Sequence, residues 1–181
     1  MTLLPIRTIG DPVLREPCRE VETYDRHLRA LSKDMLETMY KAPGVGLAAP
    51  QIGLSLRFFV FDAEKGSAAG ALANPEIIEM EGELMDEEGC LSIPGLYWDC
   101  KRHRNVVARG FNLNGEPIEI EGSDLLARCI QHETDHLDGV LFVDKLDAET
   151  RKAAMKAIRE SEWFDGGVPV IKENPLFGQV H

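Results

Sequence analysis

The sequence predicts an α+β fold: antiparallel or mixed β-sheets packed around a central helix, with a helix near each end of the chain and an irregular C-terminal tail. Three observations predict it. Apolar residues recur at helical spacing in three separated stretches, 25–41, 125–137 and 148–162. The segments between the first two read as strands, either alternating apolar with polar or continuously apolar. These strand segments follow one another instead of alternating with helices, which argues against a doubly wound parallel sheet.

Taken in order, DRHLRALSKDMLETMYK places Leu28, Leu31, Met35 and Met39 on one helical face, with Asp25 as N-cap and Pro43-Gly44 as the stop. APGVGLAAPQIG follows as a glycine-rich loop, and LRFFVFDA (56–63) as a buried strand. ALANPEIIEMEGELM holds two short strand candidates. EEGCLSIPG reads as a rigid irregular segment marked by Gly89 and Pro94. NVVARGFN and EPIEIEG form a hairpin around Asn114-Gly115. Ser123 caps the central helix, LLARCIQHETDHL, which ends at Asp138-Gly139. Asp147 caps the last helix, and Gly166-Gly167 with Pro169 prevents any helix beyond it. Trp163 and Phe164 are expected to pack that helix onto the body. Residues 1–164 are expected to form one domain and 165–181 an irregular tail.

The 181 residues suit one domain with an ordinary soluble composition, 44% hydrophobic and 28% charged. A net charge of -11 argues against general affinity for nucleic acid, which needs surplus Lys and Arg. No stretch approaches the roughly 18 apolar residues of a membrane span. The N-terminal segment MTLLPIRTIGDPVLREP carries no secretory pattern, and the four cysteines form no CxxC pair. A cytoplasmic, monomeric protein that binds neither membrane nor specific nucleic acid is expected.

The chemistry concentrates in His132-Glu133-Thr134-Asp135-His136. Residues four apart share a helix face, so His132 and His136 can present two imidazoles to one divalent ion. Glu133 lies beside them, within reach of a water whose pKa such an ion lowers toward about 7. A catalytic ion usually takes a third protein ligand and keeps one position open. No glycine-spaced third histidine comes after His136. Glu149 and Glu160 lie in undistinguished settings, whereas Cys90 sits in a distinctive one, although a lone cysteine is usually a small buried hydrophobe. Gly44-Val45-Gly46 superficially matches a dinucleotide fingerprint, but it follows a helix and precedes a strand, the wrong context. Its glycines instead let backbone approach an extended peptide.

Read together, GVGLAAPQ (44–51), EGCLS (88–92) and QHETDH (131–136) resemble the three signature motifs of the peptide deformylase family, in order and at similar spacing. The resemblance spans most of residues 1–160. It implies hydrolysis of the formyl group from the N-terminal formylmethionine of nascent chains and other N-formylmethionyl peptides, with release of formate. It implies Cys90, His132 and His136 as metal ligands, and iron(II) as the native ion, replaceable by zinc, nickel or cobalt. It implies Glu133 as general acid/base, with the Gln51 amide and the Leu91 N–H as oxyanion donors. Gly46 and Gly89 are assigned to the substrate backbone, and Val45, Leu125 and Cys129 to the methionine pocket. Arg128 departs from the apolar residue of some members. Glu88 resembles a residue that pairs with an arginine, here Arg102, for which an exposed, weak pair is the default expectation. His27, His103 and His181 are expected at the surface, and nothing in the sequence makes a case for a function of Cys18 or Cys100. The resemblance also implies a transient ribosome contact. The last helix mixes both charges, so that contact is assigned to no residue.

Two other readings stay open on the residues alone. A metallopeptidase would take a downstream Glu or His as its third ligand. A closed four-ligand site that recruits Cys129 would make the domain a binding module.

Overall fold

The computed structural model describes residues 3–63 and 68–164. The predicted 165–181 tail and His181 lie outside the described residues. The first helix, α1 (Arg26–Lys41), begins at Asp25, whose carboxylate accepts from the His27 and Leu28 N–H groups. The glycine-rich segment is not wholly loop. It contains a short strand, β1 (Gly46–Ala48), then a single 3-10 turn, Ala49–Ile52.

A five-stranded antiparallel sheet runs in the order β1-β2-β3-β6-β7. Its other members are β2 (Phe58–Phe61), β3 (Gly70–Glu81), β6 (Asn105–Phe111) and β7 (Pro117–Ser123). The two strand candidates around residue 75 resolve differently from expectation. β3 runs through Asn74-Pro75 and absorbs the proline at a register shift between Ala73 and Glu76. Proline cannot donate to a ladder, so a bulge is where a strand tolerates it. Asn74 takes a φ of 50° there, and its side-chain amide exchanges hydrogen bonds with the Val21 backbone. The β6–β7 hairpin matches expectation, with Gly115 in the left-handed region at φ 78°.

The largest departure is EEGCLSIPG. It is the junction of a second, two-stranded sheet, β4 (Leu84–Cys90) and β5 (Ile93–Arg102). Successive residues of β4 face opposite sides, so acidic Glu87 is exposed while Glu88 is buried. The polar run Asp86-Glu87-Glu88 hides this strand from an apolar pattern.

The central helix, α2 (Asp124–Leu137), packs Ala127, Ile130 and Leu137 against Phe59, Phe61, Leu72 and Ala108. Helix α1 covers the opposite face through Leu28, Met35 and Met39 against Phe58 and Val60. With a helix on each side, every residue of β2 is buried, which is why its sequence is apolar throughout. Ser123 occupies the N-cap position of α2, yet its side chain makes no capping bond. The last helix, α3 (Ala148–Glu160), is capped by Asp147. Its Ala154 and Ile158 join Ile93, Cys100 and Phe142 in a third cluster, against which Trp163 and Phe164 pack.

Candidate metal centre

Helical spacing sets the first part of the site. His132 and His136, one turn apart on α2, have ring centroids 4.9 Å apart. Both are buried, at 7% and 1% exposure. Cys90 ends β4 at its register shift beside Gly89, and this turn aims its sulfur at the helix. Cys90 Sγ lies 3.2 Å from His136 Nε2. Among the described residues, Cys90, His132 and His136 form the group whose ligand atoms all lie within 4.8 Å of one another. Cys129 is excluded from it; its thiol donates to the Val45 carbonyl at 3.4 Å. Glu149 and Glu160 are exposed on α3.

The donor set fits a divalent transition ion. His132 Nδ1 is engaged by Glu88 Oε1 at 2.6 Å, which leaves Nε2 as its free ligand atom. A thiolate with two imidazoles makes a soft to borderline three-ligand site. Beside it, Glu133 is 3% exposed, and its Oε2 makes no hydrogen bond. A buried carboxylate oxygen without a partner is costly.

Glu88 sits at the centre of the network behind Cys90, His132 and His136. Arg102 grips it with two bonds, Nε to Oε2 at 3.0 Å and Nη2 to Oε1 at 2.7 Å. The third arm of Arg102 reaches Asp135 Oδ2 on α2 at 2.7 Å. The exposed, weak pair expected from the sequence is therefore wrong. Glu88 and Arg102 are 4% and 5% exposed, because the alternation of β4 and β5 turns both toward the helix. Burial opposes ionisation of Glu88, but the hydrogen bonds from Arg102 and His132 outweigh it and hold the carboxyl well below the usual range. Burial also opposes charge on His132, yet Cys90 and Glu88 push its imidazole upward. His136 goes the other way, lowered by burial and then by the charge of His132. Burial lifts the Glu133 carboxyl to about 7.

Gln51 is placed by local structure. Its Oε1 accepts from the Ala48 N–H at 2.8 Å, across the 3-10 turn. Its Nε2 then faces Ser92 Oγ at 3.2 Å and Cys90 Sγ at 3.5 Å. Leu91 follows Cys90 at the β4–β5 turn and lines the same cavity. Gly46 shows why this position of β1 must lack a side chain: a Cβ there would lie 2.3 Å from Glu133 Oε1 and 2.7 Å from Cys129 Sγ. A Cβ at Gly89 would strike the Tyr97 ring at 2.4 Å. The cavity wall also includes Val45, Leu125, Arg128 and Cys129. Leu125 stands at the mouth, 46% exposed. His27 and His103 are exposed, and Cys18 and Cys100 are buried away from this cavity's lining.

Sequence reasoning missed Asp135, Ser92 and Tyr97. Each carries its role through β5 or the β4–β5 turn; the alternation of Leu96, Trp98 and Cys100 with Tyr97, Asp99 and Lys101 is the signal that could have found β5.

The model of the polypeptide deformylase family matches residues 3–152. The chain belongs to this family. It is 60% identical over 175 residues to a peptide deformylase of Acidothermus cellulolyticus, covering 97% of this chain and 96% of that protein. A peptide deformylase of a Parafrankia species is 52% identical over 182 residues, covering 99% of both. The fold superimposes on the crystal structure of the Legionella pneumophila peptide deformylase with a TM-score of 0.83 at 44% identity, over 88% of this chain and 95% of that one. The peptide deformylase of Thermus thermophilus gives 0.82 at 45% identity, over 86% and 93%. As a peptide deformylase, the protein is an α+β hydrolase of a metal-dependent family, and it carries a three-residue group able to hold a metal. No helix among the described residues is long and apolar enough to cross a membrane.

Proposed function

We propose that this peptide deformylase hydrolyses the formyl group from the N-terminal formylmethionine of nascent chains in the cytoplasm, releasing formate, at a metal held by Cys90, His132 and His136. The observation that carries the reading is the juxtaposition of three ligand atoms within 4.8 Å with a buried carboxylate whose Oε2 is unpartnered. When bound, a divalent ion there supplies Lewis acidity, lowering the pKa of water and polarising the formyl carbonyl.

The chain's own residues do the rest. Glu133 takes a proton from the attacking water and hands it to the departing amine, a role suited to a carboxyl whose burial lifts it to about 7. The Gln51 amide, clamped through Oε1, offers its N–H to the developing oxyanion, with the Leu91 N–H as the second donor. Each such donor is typically worth about a hundredfold in rate or more. Gly46 and Gly89 let the peptide backbone approach, and Val45, Leu125 and Cys129 receive the methionine side chain. The family resemblance makes iron(II) the native ion, with zinc, nickel or cobalt as substitutes, all of which a thiolate with two imidazoles can hold. The protein acts as a monomer that meets the ribosome transiently as chains emerge.

The test is formate release from formyl-Met-Ala-Ser, with the unformylated peptide as control. Cleavage of internal peptide bonds without formate would replace this reading by a metallopeptidase. Glu133→Ala is expected to keep its metal and lose activity about a hundredfold or more. Loss of metal from that variant, with activity restored by added metal, would make Glu133 structural.

A further inference from the structure

The ligands of the proposed centre come from two separate bodies. His132 and His136 ride on α2, while Cys90 rides on β4, which pairs with β5 alone. The distance between sulfur and imidazoles depends on what locks these bodies together. Arg102 makes one cross-link, from β5 to Asp135 on α2. Arg128 makes the reverse one, from α2 to β4. It is 5% exposed, and its Nη1 donates to the Asp86 carbonyl at 2.8 Å and the Glu87 carbonyl at 3.3 Å. The same nitrogen lies 3.5 Å from Glu88 Oε2, and Nη2 lies 3.7 Å from Asp86 Oδ2. Nη2 is buried and makes no hydrogen bond.

We propose that Arg128 is a positioning residue for the Cys90 ligand: it pins residues 86–88 of β4 to the histidine helix and so sets the reach of the thiolate. The inference rests on the metal-site reading above. Three features favour it over simple core filling. A guanidinium placed against consecutive carbonyls resists sliding of the strand along the helix, which an apolar side chain of similar volume would not. Glu88 Oε2 takes one partner from each body, Arg102 Nε and Arg128 Nη1, so the carboxylate that orients His132 is itself held from both sides. Cys90 lies two residues beyond the pinned segment, past a single register shift after Gly89, so a movement of residues 86–88 has only one intervening residue through which to reach the sulfur.

The test uses cobalt(II)-loaded full-length protein with excess chelator. The readouts are the rate of metal release and the thiolate-to-cobalt charge-transfer band. Arg128→Met is expected to release cobalt about tenfold faster, the low end for partners of metal ligands because Arg128 acts one residue further out. Its charge-transfer band should shift or weaken. Arg128→Lys, with one compact donor group, should fall between, and it supplies the measurement if the Met variant does not fold. Arg109→Met, which breaks an exposed pair with Glu76 on the other sheet, should release cobalt at the wild-type rate. Wild-type release and an unchanged band in both Arg128 variants, even with a lowered melting temperature, would reduce Arg128 to core packing. Absence of the charge-transfer band from the wild-type protein would instead overturn the Cys90 ligand reading itself.

Discussion

Replacing Arg102 by Met removes the three bonds that centre the buried network, two to Glu88 and one to Asp135. Methionine fills much of the same volume, so the main effect is electrostatic. Glu88, with its side chain 3% exposed, is left with a charge that only His132 and the more distant Arg128 oppose. Stripping one partner from a buried pair typically costs about 3–5 kcal/mol, a large part of the roughly 5–15 kcal/mol that holds a domain folded. At about 2–4 °C per kcal/mol for a chain of this size, the melting temperature should fall by on the order of 10 °C. The pH dependence gives the sharper check. In the wild type Glu88 is held below its ordinary range, so its contribution is present above the unfolded value of about 4.3 and is lost only as pH falls through the lower folded value. In the variant, burial without Arg102 should raise the carboxyl instead. Its penalty is then present at neutral pH and relieved as pH falls toward 4. The stability gap between the two proteins should therefore narrow on acidification. Urea unfolding at pH 7.5 and pH 4, with chelator throughout so that metal binding does not contribute, measures it. A gap under 1 kcal/mol at pH 7.5, or one that fails to narrow at pH 4, would refute the reasoning.

Gly46→Ala sets a methyl group 2.3 Å from Glu133 Oε1, which must move. Overpacking of this kind costs about 1–3 kcal/mol. Displacing the proton carrier should lower kcat about a hundredfold with metal content retained; wild-type kcat would show that Glu133 does not work from this position. At alkaline pH, burial pushes the Cys100 thiol up to about 11. A raised folded value means that its contribution is intact below about 9 and is lost as pH climbs toward 11, by about 2 kcal/mol. Urea midpoints between pH 8 and 11 should fall, and less steeply in Cys100→Ala; parallel slopes in the two proteins would remove Cys100 as a cause.

Local elements were legible where one physical rule set them. Asp25 and Asp147 cap their helices as read, because a short acceptor before an amphipathic run has few other uses. Phe58 to Phe61 read as buried, and helices on both faces bury them. Ser123 fits the same rule and takes the N-cap position, yet its side chain makes no capping bond, and the next residue, Asp124, has a φ of 48°. β4 was illegible because its buried positions serve an ion network and not an apolar face, whereas β5 carries an apolar face through Ile93, Leu96, Trp98 and Cys100. β4 reads acidic, glycine and cysteine where a strand usually shows valine and isoleucine.

By itself, the sequence determined the face shared by His132, Glu133 and His136, since helical geometry alone places residues four apart together. It also determined the family, through three motifs spread along the chain. Only the tertiary structure decided how the motifs meet. The distance from Cys90 to His136, the burial of Glu88 with Arg102, and the hold of Arg128 on β4 all depend on a two-stranded sheet docking against a helix. Such docking is set by contacts between residues far apart in the chain, which no local pattern encodes.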